Sequence, residues 1–441
     1  MGGRKLVLAE LQNLLPGERI GLDDVNHPFG NQGAHVVYPE TEEEIVSVLK
    51  EANEHGWKVV PAGGGTKKGF GGVEEKADIL LSLSRFKGIT EYETGDMTMA
   101  ARPGTTMKEI VDHLAEHGQM LPIDASWPEY ATIGGVIASN DSGPKRMKYG
   151  SARDFVIGLR VVYPDGKVIR TGGKVVKNVA GYDMNKLFIG SMGTLGVISE
   201  VRVKLRPLPQ YESLVLLSFP YSKIEEIRTF AVELLNTTVE AASLELLTPE
   251  LAEELAGRRN WTLAIAFEDR EKAVHSQEDW VKGHLPVDTE VEILQQEEAK
   301  SWWQTFSRTA PYCTPDVSNS ETEMALKIGS KNFDALRNLQ AAGKLGDEHH
   351  LVVKGHGGLG HGISRVFVKG EPDDLLSYVK TLREIVTAKK GYVIIQHMPL
   401  TMRRQVSVWG NRPVYFPLLE GIKKTIDPNG ILNPKRFVGG L

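Results

Sequence analysis

Apolar residues recur at helical spacing near the start of the chain, where Ile45, Val48, Leu49 and Ala52 share one face. Thr41 and Glu44 carry the spacing of a capping box, and Gly56 supplies a stop, so a helix is predicted over 41–56. Lys58-Val59-Val60 then reads as a short buried strand. A second helix of the same design is predicted over 106–118, with Thr106 and Glu109 as its capping box. Segments 159–162 and 167–170 flank Pro164-Asp165-Gly166, a turn sequence, and form a predicted hairpin. Residues 197–205 alternate apolar and charged side chains, as in a strand with one solvated face. Pro207-Leu208-Pro209 interrupts the pattern and is the expected domain boundary.

Beyond Pro209 the texture changes. Strands are predicted at 214–219, 239–247, 261–267 and 287–294, with helices at 222–235 and 270–283. This βαβ-βαβ rhythm is that of a ferredoxin-like sandwich, and a similar rhythm over 323–397 suggests a duplicated unit built on an antiparallel sheet. A last helix at 415–426 leads into a turn-rich tail, Asp427-Pro428-Asn429-Gly430-Ile431-Leu432-Asn433-Pro434.

With 441 residues the chain can hold two or three cores. A net charge of −5 and the lack of a long basic block argue against nucleic-acid binding. The single cysteine, Cys313, rules out an internal disulfide framework and fits a reducing compartment. No apolar run is long enough to span a bilayer. These features lead to an expected cytoplasmic protein, able to dock at the inner face of a membrane through partners.

Two glycine-rich stretches carry the chemistry. The first is Pro61-Ala62-Gly63-Gly64-Gly65-Thr66; the second starts at Thr132-Ile133-Gly134-Gly135 and runs through Ser139-Asn140-Asp141-Ser142-Gly143. Each lets backbone approach a large anion closely. Lys67-Lys68-Gly69-Phe70 after the first stretch is not helical in pattern, which argues against a Walker or Rossmann site and leaves a nest of backbone N–H groups or a tight surface turn. Gly355-His356-Gly357-Gly358-Leu359-Gly360 satisfies the dinucleotide fingerprint by letter, but 363–368 reads as a strand where a helix is required. It is therefore expected to be a hairpin or bulge. His356, His361 and His397 show no nearby carboxylate in sequence, and no metal site is expected. Arg403 and Arg404 follow His397 and could hold a carboxylate or face solvent. Trp302-Trp303 is read as a packing anchor.

The ordered set resembles the FAD-binding domain of the vanillyl-alcohol oxidase / p-cresol methylhydroxylase (PCMH-type) superfamily. The set comprises the first glycine stretch, Thr132-Ile133-Gly134-Gly135, Tyr149-Gly150-Ser151-Ala152-Arg153-Asp154, Tyr163-Pro164-Asp165-Gly166 and Gly190-Ser191-Met192-Gly193-Thr194-Leu195-Gly196-Val197-Ile198. Lys174-Val175-Val176-Lys177-Asn178-Val179-Ala180-Gly181-Tyr182-Asp183, Val406-Ser407-Val408-Trp409-Gly410 and the ending Asn433-Pro434-Lys435-Arg436-Phe437-Val438-Gly439-Gly440 are similar to the FAD-binding E-type subunit of bacterial glycolate oxidase.

The resemblance implies an α+β fold: a two-subdomain PCMH-type FAD-binding domain over 1–209, a ferredoxin-like cap with an antiparallel sheet over 210–404, and a segment over 405–441 returning to the first domain. It implies FAD contacts from Pro61, Ala62, Gly63, Gly64, Gly65, Thr66, Pro122, Thr132, Ile133, Gly134, Gly135, Ser139, Asn140, Ser142, Gly143, Gly150, Arg153, Asp154, Val197 and Ile198. No His or Cys lies between Gly56 and Asp112, so FAD is expected to be non-covalent. The implied reaction is oxidation of a 2-hydroxy acid, glycolate to glyoxylate. His397 or His356 would be the base, and Arg403 or Arg404 would hold the carboxylate. The implied partners are a related FAD subunit and an iron–sulfur subunit. Related D-type chains carry a longer His-Gly-Asp-Gly-Asn-Leu-His metal motif; His356-Gly357-Gly358-Leu359-Gly360-His361 lacks its acidic residue and its spacing. A self-sufficient FAD dehydrogenase for another 2-hydroxy acid or alcohol, and a non-catalytic structural subunit, are the alternative readings.

Overall fold

A computed structural model describes residues 2–22, 27–74, 76–173, 182–312 and 322–441. Residues 174–181 of the Lys174–Asp183 motif and Cys313 lie outside them. The first sheet holds β1 (Ile20–Leu22), β2 (Gln32–Val37), β3 (Val59–Ala62) and β4 (Lys76–Ser82) in the order β1-β2-β4-β3. β4 runs parallel to both β2 and β3. Parallel neighbours need a crossover, and the helix Glu42–His55 provides one between β2 and β3. Its capping box on Thr41 and Glu44 forms, Gly56 closes it in the left-handed region, and Ile45, Val48, Leu49 and Ala52 are buried. They pack with Val37, Val59, Ile79 and Leu81.

The second sheet is antiparallel: β5 (Ile89–Glu93), β6 (Thr98–Ala101), β8 (Val156–Val162), β9 (Val168–Gly172) and β10 (Val197–Lys204), ordered β5-β6-β10-β8-β9. A two-residue pair, β7 (Gln119–Met120) and β11 (Arg206–Pro207), lies outside it. The helices Met107–Ala115 and Ile133–Ser139 share the core of this sheet. The second of these is absent from the hydrophobic pattern, because two glycines occupy its first turn.

All eight strands of the third sheet come from the rest of the chain. They are β12 (Tyr211–Phe219), β13 (Ser243–Leu247), β14 (Trp261–Asp269), β15 (Glu290–Gln295), β16 (Thr322–Gly329), β17 (Val352–Gly358), β18 (Ile363–Gly370) and β19 (Tyr392–His397). Their order, β15-β12-β14-β13-β17-β18-β16-β19, is two copies of one βαββαβ unit joined antiparallel through β13 and β17. The duplicated ferredoxin-like reading matches this topology, and the Gly355 fingerprint lies in the β17–β18 hairpin with no helix after it. The helices Ile224–Leu235, Glu271–Gly283, Asp334–Glu348 and Pro372–Ala388 bury their apolar stripes in the core on one face. On the other face, Pro249–Ala256 and Glu297–Phe306 cover only the half built from β12, β13 and β14.

The tail returns to the first sheet. Leu432 bridges Val59 in parallel, and backbone hydrogen bonds join Val59 to Ile431 and Asn433. β3 is thus flanked on both sides as it delivers the first glycine stretch.

Candidate functional site

β3 ends in the glycine loop at the mouth of an open groove of about 880 Å³. Pro61 to Thr66 form one wall, Thr132, Gly134, Gly135 and Ser139 another, and Ser191, Met192, Gly193, Val197 and Ile198 a third. Close approach explains the glycines. A Cβ on Gly63 would lie 2.0 Å from Thr132 Oγ1, and one on Gly64 would lie 1.7 Å from the Tyr130 carbonyl oxygen. Gly65 has φ +75° and no atom within 4 Å of its Cβ position, so it combines a backbone reserved for glycine with open space. Asn433 Nδ2 donates to the Met192 carbonyl over 2.6 Å, which fixes the tail against the 191–193 turn. Among the described residues the lining contains Lys67, Lys68 and Arg436 and no carboxylate. A cradle of backbone with this charge fits the pyrophosphate of a dinucleotide such as FAD.

The remaining residues expected at the cofactor take other positions. The side chain of Ile133 is buried in the second core. Pro122 is buried in the segment after β7. Asn140 caps the short helix at φ +49°. The Gly143 N–H donates to Asp124, and Ser142 receives Arg146 on its hydroxyl and Arg365 on its carbonyl. Gly150 and Asp154 belong to a capping turn, in which Asp154 accepts from the Ser151 N–H, and Arg153 donates to the Lys186 carbonyl. None of these eight is in the groove lining.

Lys67 connects the groove to the cap. Its ammonium lies 2.8 Å from Asp141, whose other oxygen takes Arg365 at 2.6 Å. Burial pushes the Asp141 carboxyl up, but Lys67 and Arg365 outweigh it and hold it well below the usual carboxylate range. Arg365 (β18) stands opposite Lys327 (β16) on one side and His356 (β17) on the other. Burial, then Arg365 and Arg146, push the Lys327 ammonium down to about 8 against the pull of Asp141. Lys67 and Arg365 therefore pair with one carboxylate while Lys327 and Arg146 stand near, so this part of the sheet face carries an excess of positive charge.

A second cluster adjoins it. Glu245 (β13), 1% exposed, lies 2.8 Å from His356 Nδ1 and 3.0 Å from His361 Nε2. Burial pushes its carboxyl up, but hydrogen bonds from the two rings bring it down to about 2. Both rings are therefore donors to Glu245. The Ile363 N–H donates to His361 Nδ1, so that nitrogen is the acceptor of the ring. His356, with Nδ1–H given to Glu245, presents Nε2 as the basic atom. Burial lowers its pKa further, with Glu245 opposing, so the ring is neutral and able to accept a proton. The carboxylate missing from the local sequence around the histidines is thus supplied from 111 residues upstream.

The other three candidates lie where the end of the third sheet meets segments flanking the first. His397 is buried against Phe29, with ring centroids 4.4 Å apart, and burial together with Arg403, Lys67 and His27 pushes it down to about 3. Arg403, 2% exposed, donates to the carbonyls of Phe29, Lys68 and Met398. Arg404 donates to the Val73 carbonyl. The guanidinium groups of Arg403 and Arg404, expected to hold a carboxylate, thus donate to backbone carbonyls here, whereas Arg365 and Lys327 face each other on the third sheet. Alternation along β16 and β18 signals those two as sharing a face, but nothing local shows which face.

The FAD binding domain family matches residues 33–172. A D-lactate dehydrogenase from Archaeoglobus fulgidus is 27% identical over 440 residues, covering 92% of this chain and 91% of that protein. The glycolate oxidase subunit GlcD of Bacillus subtilis is 35% identical over 212 residues, 48% of this chain and 45% of that protein. A mitochondrial D-lactate dehydrogenase [cytochrome] from Arabidopsis thaliana is 34% identical over 212 residues, covering 37% of its length. The chain thus aligns with less than half of these last two relatives. Among solved structures, p-cresol methylhydroxylase with substrate bound superposes with a TM-score of 0.75 at 16% identity, covering 99% of this chain and 97% of that one. A 4-ethylphenol oxidase from Gulosibacter chungangensis gives 0.77 at 16% identity, covering 98% and 96%. With a glycine cradle, a tail closing on it and a cap of two βαββαβ units, the chain contains an FAD binding domain over residues 33–172 and has the fold of p-cresol methylhydroxylase and 4-ethylphenol oxidase.

Proposed function

We propose that the chain is an FAD-dependent oxidoreductase for small 2-hydroxy acids, working as the FAD-binding subunit of a glycolate-oxidase-type complex. One observation carries this reading. A cationic pair, Arg365 and Lys327, stands beside a neutral histidine, His356, at facing positions of adjacent strands. Facing residues of an antiparallel pair lie about 5 Å apart at Cα. A 2-hydroxy acid carries its carboxylate and its hydroxyl on neighbouring carbons, so one small molecule can reach both groups.

In this reading Lys327 and Arg365 bind the carboxylate, and burial strengthens the attraction. Asp141 and Lys67 orient Arg365 and tie its position to the groove wall. His356 Nε2 takes the hydroxyl proton as C2 loses its hydride, and Glu245 stabilises the imidazolium that forms. Bound FAD supplies the hydride acceptor. Glycolate then leaves as glyoxylate, and electrons pass to an iron–sulfur partner. In this reading the FAD is held non-covalently, and the described residues that line the groove include no histidine or cysteine. The similarity to D-lactate dehydrogenase along 91% of that protein, with the whole Glu245–His356–His361 set on one chain, favours a chain that also oxidises substrate by itself.

The test is anaerobic addition of glycolate, D-lactate and D-2-hydroxyglutarate, separately, to the FAD-loaded chain without partners. Loss of the flavin's visible band with one of them supports the reading. An unchanged spectrum with all three refutes autonomous oxidation of these acids.

A further inference from the structure

We propose a divalent-metal site, distinct from the flavin groove, at the end of the Met107–Ala115 helix, formed by His113, Glu116 and His117. One nitrogen of each ring and a carboxylate oxygen already lie within 4.8 Å of one another. The helix buries Met107, Ile110 and Leu114. Positions 113, 116 and 117 follow the i, i+3, i+4 spacing that puts three side chains on one neighbouring face. Glu116 keeps helical backbone as the C-cap, and Gly118, at φ +64°, turns the chain away just beyond the third ligand.

The two rings are prepared for a metal in different ways. His117 Nδ1 donates to the His113 carbonyl over 3.0 Å. That hydrogen bond fixes the tautomer and leaves Nε2 with its lone pair, the arrangement that outer-shell carbonyls give to metal-binding histidines. His113 Nε2 is buried and has no hydrogen-bond partner among the described residues. A buried polar nitrogen without a partner is an exception that calls for an ion or another acceptor of its lone pair. Tyr92 packs edge-on against both rings, at 5.2 and 5.0 Å, and its hydroxyl donates to Gln119 Oε1, so strand β5 braces the pair from outside the helix. The rings are 5.0 Å apart at their centroids.

Two imidazoles and one carboxylate suit Zn²⁺ or a neighbouring late first-row cation. Metal–ligand bonds of about 2.0–2.2 Å put tetrahedral ligand atoms roughly 3.3 Å apart. Rotation of the exposed Glu116 side chain brings its carboxylate toward the two rings, and water would complete the ligand set. The helix C-terminus adds a partial negative charge that favours a cation there.

Zn²⁺ is the probe. The FAD-loaded protein, stripped with a chelator, is titrated against a chromophoric zinc chelator. The expected result is one zinc equivalent that is weakened at least about tenfold in E116Q and in H117Q, and abolished in H113Q/H117Q. The flavin spectrum and the zinc-free melting temperature should be unchanged in the single variants, whose side chains are exposed. H361Q, which alters the buried Glu245 cluster, should keep the site. Zinc binding at wild-type strength in H113Q/H117Q, loss of the equivalent in H361Q but not in E116Q and H117Q, or no zinc bound by the wild type would each overturn the proposal.

Discussion

Replacing Lys327 by methionine separates stability from function. Burial and the neighbouring Arg365 and Arg146 lower this ammonium from 10.5 to about 8. A lysine with a depressed folded pKa binds its proton less readily in the folded chain than in the unfolded one. The penalty is fully present below about pH 8, shrinks as pH rises toward 10.5, and vanishes above it. A drop of this size corresponds to roughly 3 kcal/mol, and partial solvent access reduces it to about 2 kcal/mol. Lys327→Met is therefore expected to stabilise the protein by about 2 kcal/mol at pH 7 and by little at pH 10.5. Under the proposed function the same change removes a charge-assisted contact to the substrate carboxylate worth about 1.5–3 kcal/mol, which raises KM by roughly 10- to 150-fold. Urea melts at the two pH values and steady-state kinetics with an artificial acceptor read both effects. A variant that is less stable at pH 7, or one with unchanged KM, refutes the reasoning.

Four further outcomes follow from the geometry. Gly65→Ala should weaken FAD binding while costing the fold only about 1–2 kcal/mol, because its φ of +75° strains an L-residue and its Cβ would enter the open groove; FAD titration and melts separate the two. Asp141→Asn leaves Lys67 and Arg365 buried without their shared carboxylate and should cost about 3–5 kcal/mol in denaturant melts. Glu245, lowered from 4.5 to about 2, contributes roughly 3 kcal/mol above pH 4.5 that is lost as pH falls through 2; Glu245→Gln should flatten acid unfolding in that window. His356→Asn should lower kcat about 10²- to 10⁴-fold and remove the acid limb of the pH–rate profile, with FAD content unchanged.

Much of the architecture was legible along the chain. Both capping boxes and the 197–204 strand follow from local residue order, because helix caps and period-two alternation are local physics. The repeated βαββαβ rhythm was legible for the same reason. The short helix over Ile133–Ser139 was not, since Gly134 is selected by the packing of Pro103, 2.5 Å from its Cβ position, against its intrinsic propensity. The groove glycines could be found because close approach leaves glycine as the only residue that fits. The charged face could not be found in the same way. Lys327, Arg365, His356 and Glu245 come from four strands spread over more than a hundred residues, and their meeting is decided by strand order. Arg403 and Arg404 were attractive because they follow His397 in sequence, but the chain turns there, and both guanidinium groups meet backbone carbonyls of the first domain.

The most direct test of the account compares two small molecules that differ only in the group Lys327 and Arg365 are held to recognise. Under anaerobic conditions the FAD-loaded chain is mixed with glycolate or with ethylene glycol, which keeps the hydroxyl and lacks the carboxylate. The account predicts rapid bleaching of the flavin by glycolate and none by the diol at equal concentration. Equal bleaching by both, or bleaching by the diol alone, would contradict it.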